Sequence, residues 1–163
     1  MNKGISIIEI LIVITVIIIA LTSLLGLVTY SLRISTSIKE TFIANNLAQE
    51  AMEAVRNFRD GTDWDTDGLR DYILGAATSS DPYHPELDTA FSPPKWRLTA
   101  DAETINSYTR KVVFEKVSRD TNDNIEEIYN PDNDDPNTRK VIVTVSWQDK
   151  EVKLVTYLTN WKE

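Results

Sequence analysis

The chain has 163 residues, about one domain's worth, with 25 acids against 17 bases and a formal charge of -8. Zero Cys excludes disulfide frameworks and thiolate chemistry, and the single His84 excludes metal sites built from several His. The acidic balance argues against direct nucleic-acid binding, and no GxGxxG, P-loop or GxSxG motif is present, so no enzyme is expected.

The apolar residues are unevenly spread. From Ile5 to Leu32 the only charged residue is Glu9, and residues 10–30 hold no charge at all. At 1.5 Å per residue, about 20 such residues cross a roughly 30 Å hydrocarbon layer. Lipid offers the backbone no partners, so the run must be helical despite its Ile and Val content. A plain signal anchor is one reading. A cleavable secretory signal fits poorly, because the run is long and its end lacks small residues at A-x-A spacing. Glu9 breaks the plain reading. A carboxylate within the membrane costs about 2.5–3.5 kcal/mol on insertion scales and so implies a partner. The next cation along the chain is Arg33, beyond helical reach. A cut after Gly4 would create an α-amine at Ile5. That amine and Glu9 would lie one helical turn apart, or would meet between neighbouring chains.

The stretch Lys3-Gly4-Ile5-Ser6-Ile7-Ile8-Glu9-Ile10-Leu11 resembles the type IV prepilin signal. That signal is a short basic leader ending in Gly, then an apolar residue, Ser or Thr, a Glu at fixed spacing and an apolar helix. The resemblance implies cleavage between Gly4 and Ile5 by a prepilin peptidase, and N-methylation of the new amine. It implies that Glu9 pairs with the amine of an adjacent pilin subunit during assembly by an inner-membrane platform. Ile5 departs from the Phe or Met usual in major pilins, which leans toward a minor subunit. Lys3 would stay cytoplasmic, with everything beyond Arg33 facing outward. The chain would be a single-pass protein in membrane lipid before assembly, then part of an extracellular or periplasmic filament.

Beyond Tyr30 the pattern becomes amphipathic. Ile34, Ile38 and Phe42 recur every four residues, and the stripe resumes at Leu47, Ala51, Val55 and Phe58. Neither Pro nor Gly occurs between Gly26 and Gly61, and Arg56 and Arg59 suit a helix end. One helix of roughly 54 residues, about 80 Å long, is expected from Ile5 to Phe58. The phrase Asn46-Leu47-Ala48-Gln49-Glu50-Ala51 through Val55-Arg56-Asn57 resembles the post-membrane helix of minor pilins and some secretion pseudopilins.

Residues 60–107, dense in Gly, Pro and Asp, read as loop with one short helix near Leu69–Leu74. Three strands follow. Tyr108–Val117 is β-rich, Val141 to Trp147 alternates, and Val152 to Leu158 alternates after a turn at Gln148-Asp149-Lys150. They predict an antiparallel meander covered by Phe42, Leu47, Ala51, Val55 and Phe58. Trp161 reads as a core or edge aromatic closing the sheet. The fold class is α+β, and the resemblance implies a pilin-like layout. Residues 1–4 would be a leader, 5–32 a transmembrane and filament-core helix, 33–60 its amphipathic half, and 61–163 the head.

Residues 60–137 hold 18 acids and 7 bases. Within them Asp63, Asp65 and Asp67, followed by Gly68, match the opening of a calcium loop, and Leu74 stands where the closing Glu belongs. The alternatives are a calcium site, with Asp71 as a further ligand, or a solvated acidic loop. The expected function is a structural subunit of a type IV pilus or pilus-like filament. The alternatives are a pseudopilin of a type II secretion or DNA-uptake system, or a membrane-anchored binding module that never assembles.

Overall fold

The computed structural model describes residues 6–70 and 81–161. The chain divides into two compact units, Met1–Phe42 and Ile43–Glu163. One helix, α1 (Ile7–Gly61, 55 residues), supplies the first unit and opens the second. In the first unit its apolar side chains from Ile7 to Leu32 are all exposed. By length and composition this helix can cross a membrane.

The second unit packs the rest of α1 with an antiparallel sheet of six strands. These are β1 (Tyr83–Asp88), β2 (Lys95–Ala100), β3 (Glu103–Ile105), β4 (Tyr108–Ser118), β5 (Asp134–Trp147) and β6 (Lys150–Thr159). The order is β2-β1-β4-β5-β6, with β3 also on β4. The three strands read from alternation are present as a meander. Gln148 and Asp149 form the two-residue turn between β5 and β6, and Trp147 pairs with Lys150. Gln148 has φ 49, the positive value that tight hairpin turns favour at their first central position.

The strand period divides the sheet into two faces. On the core face Val112 pairs with Val143 and Phe114 with Val141, and all four are fully buried. The same face of β5 carries Val145 and Trp147. Tyr108 stacks obliquely on Trp147 with centroids 5.7 Å apart.

The helix stripe over this core keeps Ala51, Val55 and Phe58 of the expected one and differs from it at Phe42 and Leu47. Phe42 is 63% exposed, and Leu47 is only half-buried. The covered positions are Ala44, Ala48, Ala51, Met52, Ala54, Val55 and Phe58. Toward the start of the stripe, small residues replace Phe42 and Leu47 because close approach favours them. Alanines let the helix backbone sit near the sheet, and side chains such as Phe114 then fill the space. The loop expected over residues 60–107 is also corrected, since it contains β1, β2 and β3. The short helix expected near Leu69–Leu74 falls largely outside the described residues.

Candidate functional site

Glu9 lies in the first turn of α1, where its backbone N–H donates to the Ser6 carbonyl at 3.0 Å. Its side chain is exposed. Gly4 and Ile5, the expected cleavage pair, lie outside the described residues. Among the described residues the first cation after Glu9 is Arg33.

The apolar run contains hydroxyls, and each of four has a helical partner. Thr15 donates to the Leu11 carbonyl at 2.7 Å and Thr22 to Ile18 at 3.0 Å. Ser23 donates to Ile19 at 2.8 Å and Thr29 to Leu25 at 2.9 Å. A buried hydroxyl without a partner costs several kcal/mol in hydrocarbon. These back-bonds remove that cost, and among the described residues Glu9 is the one charged side chain of the run and has no cation beside it on its own helix.

Asp63, Asp65 and Asp67 belong to the second unit. Asp63 Oδ1 accepts from the N–H of Asp65 at 3.0 Å and of Thr66 at 3.2 Å. Asp67 Oδ1 accepts from the Asp63 N–H at 2.8 Å, and Asp65 pairs with Arg70 at 2.5 Å. Gly68 is required here: a side chain at this position would run into the Asp63 carbonyl and come within 2.8 Å of Trp64 Cα. The carboxylates thus shape a tight turn. Among the described residues no three His, Asp or Glu side chains group as a metal site would. Asp71, the further ligand considered, lies outside the described residues.

Sequence reasoning missed three arginines that hold the head together. Arg110 is 3% exposed and sits on the core face of β4, bonded to Glu103 and to the Leu47 carbonyl of α1. Arg139 is equally buried, donates to the carbonyls of Asp135 and Thr138, and lies over the Trp64 ring at 5.9 Å. Arg119 organises the β4–β5 loop. Its Nε donates to Asp135 Oδ2 at 2.6 Å and its Nη1 to the Asp123 carbonyl at 2.9 Å. The signal for Arg110 was available, since it occupies the inward position of the Tyr108, Val112, Phe114 alternation. Trp161, expected to close the sheet, is 61% exposed, and its Nε1 donates to Asp60 at 3.1 Å.

No family model, curated protein or solved structure matches this chain. Its function is therefore argued from Glu9, the apolar helix and the head alone.

The β4–β5 loop carries a pH prediction. Burial pushes the Asp135 carboxyl up, but hydrogen bonds from Arg119, Thr138 and the Asn137 N–H, with the Arg119 charge, outweigh it and hold the group low. A carboxyl lowered in the folded state stabilises above its unfolded pKa, and that stabilisation is lost as pH falls through the folded value. The loss should begin below about pH 4. Thermal unfolding of the wild type and Asp135→Asn at pH 5 and pH 3 checks this. The variant should be less stable at pH 5 and should lose less on acidification; equal acid losses would contradict it.

Proposed function

We propose that this chain is a structural subunit of a type IV pilus or pilus-like filament, a minor rather than the major one. A prepilin peptidase would cut between Gly4 and Ile5, and the new amine would be methylated. The chain would wait in the membrane with its N-terminus cytoplasmic and its acidic head outside. An inner-membrane platform would then lift the apolar helix from lipid into a filament core of pilin subunits.

The observation that carries this reading is Glu9. It is an acid near the start of an otherwise uncharged run, with no cation following it within helical reach, and it comes after Lys3-Gly4-Ile5-Ser6. A lone carboxylate there is unfavourable in lipid and useful only with a cationic partner. A neighbouring α-amine is that partner, and methylation leaves its charge in place. The exposed apolar helix supports the membrane stage.

Intact mass and N-terminal sequencing of protein from membranes, with and without a prepilin peptidase, test the reading. The expected product starts at Ile5, carries one methyl group and is lost without the peptidase. An uncut N-terminus in both strains would reject the assignment.

A further inference from the structure

The outer face of the sheet is built differently from the rest of the head. In register across β4, β5 and β6, Lys111, Thr144 and Lys153 form one row, and Val113, Ile142 and Val155 form the next. Each row spans roughly 10 Å at the usual strand spacing. Lys111 and Lys153 are exposed, and among the described residues neither makes an ion pair. Val155 is 50% exposed and Tyr157 44%, while Thr144 and Ile142 at the centre of the rows are buried and Val113 is half-buried, so the accessible part is the rim of Lys111, Lys153 and Val155. The third row is neutralised, because Lys140 pairs with Glu115 at 2.8 Å. Glu151 stands beside Lys153 along β6 and reduces the positive field without cancelling it. A basic, apolar face therefore sits on a chain whose formal charge is -8.

The β4–β5 loop has the opposite character. Ile128 is 83% exposed and Ile125 38%. Acids surround them. Asp123 is paired with Arg119, Glu126 accepts from Asn133, and Asp134 accepts from the Tyr129 hydroxyl. Glu127, next to Ile128 in sequence, and Asp132, four residues on, are exposed, and among the described residues neither makes an ion pair. The loop is held in shape by Arg119, by the Asn130 N–H on Ser118 Oγ at 2.9 Å and by the Arg119–Ile125 bridge. It is an ordered loop that exposes an apolar side chain among acids.

We propose that this face docks the β4–β5 loop of a second copy of the chain, with Ile128 against Val113 and Val155, and Glu127 and Asp132 toward Lys111 and Lys153. The inference rests on the reading that copies of the chain assemble. Charge and apolar content complement each other only in this crossed pairing. Face against face would oppose lysines, and loop against loop would oppose acids. A contact between two different patches is heterologous, so it can link neighbouring copies along a filament without closing on itself.

The chain has no Cys, so introduced thiols report contacts without background. Full-length Ile128→Cys and Val155→Cys chains, each with its own tag, are co-expressed in cells and oxidised. The mixed disulfide dimer should exceed either like-with-like dimer by about tenfold. The pair Lys111→Glu and Lys153→Glu on the Val155→Cys chain should lower the mixed dimer about tenfold, as expected for like charges brought together. Glu127→Lys and Asp132→Lys on the Ile128→Cys chain should restore it. Ile17→Cys in the apolar helix is the control for assembly itself. Helix crosslinks without the 128–155 crosslink would overturn this docking and leave the filament reading standing. Absence of both would overturn this docking by showing that copies of the chain do not meet, and a mature N-terminus at Ile5 in the same cells would leave the filament reading standing. A dominant Val155–Val155 dimer, or crosslinks only to a different protein, would also overturn the proposal.

Discussion

Replacing Glu9 by alanine is expected to leave the chain in the membrane and remove it from filaments. The substitution deletes the one acid of the apolar run, so insertion becomes easier by about 2.5–3.5 kcal/mol rather than harder. Assembly should respond in the opposite direction. On the filament reading the carboxylate meets a neighbour's amine within hydrocarbon, where such an attraction is weakly screened. Its loss should reduce the filament-incorporated fraction by at least about tenfold, the factor corresponding to roughly 1.4 kcal/mol. Glu9→Gln should behave like Glu9→Ala, because charge rather than size is at stake. Glu9→Asp keeps the charge on a shorter arm and should incorporate partially. Quantifying the chain in carbonate-washed membranes and in sheared filaments separates the two stages. Equal incorporation of Glu9→Ala and wild type would remove Glu9 from the assembly mechanism.

Glu9 was legible in the sequence because its argument needs only composition: one acid, a long apolar run and no cation in reach. The strands β4, β5 and β6 were legible for a similar reason. Alternating Val at 141, 143 and 145 leaves little choice of period. β1 was hidden by Pro85, which ordinarily argues against a strand. Here Pro85 pairs with Leu98 of β2, while the β1–β4 pairing is confined to Tyr83 and Val112. The missing N–H therefore costs no ladder bond on that side. The helix stripe was legible at Ala51, Val55 and Phe58 and misplaced at Phe42, which is exposed while the smaller Ala44 and Ala48 are fully buried. The aspartates at 63, 65 and 67 show another limit. Their spacing suits convergence on a cation as well as the capping of local N–H groups that Asp63 and Asp67 make, and spacing alone does not separate the two.

The largest stability effect is expected at Arg110. Its side chain is 4% exposed, and its guanidinium joins three elements of the second unit. Nε donates to Glu103 Oε1 at 2.7 Å, and Nη2 reaches the same carboxylate. Nη1 donates to the Leu47 carbonyl of α1 at 3.2 Å and lies 3.3 Å from Glu50. Arg110→Ala would leave the Glu103 carboxylate unpaired at a site where its side chain is only 24% exposed, and would open a cavity beneath the helix. Breaking one side of a buried pair costs about 3–5 kcal/mol. For a unit of this size that corresponds to a drop of roughly 10–20 °C in Tm. Glu50→Ala should cost only about 0–1 kcal/mol, because its side chain is 53% exposed and water screens the pair. Arg110→Lys should fall between, since an ammonium cannot span Glu103 and Leu47 as a planar fork does. The double replacement Arg110→Leu with Glu103→Leu should recover most of the loss. It removes both charges together, and a packed apolar pair is often as stable as a buried ion pair. Thermal unfolding of the full chain in detergent measures all four. If Arg110→Ala melts with the wild type, the guanidinium is not what fastens α1 to the sheet. If the double replacement is as damaged as Arg110→Ala, the loss comes from shape rather than from the orphaned charge.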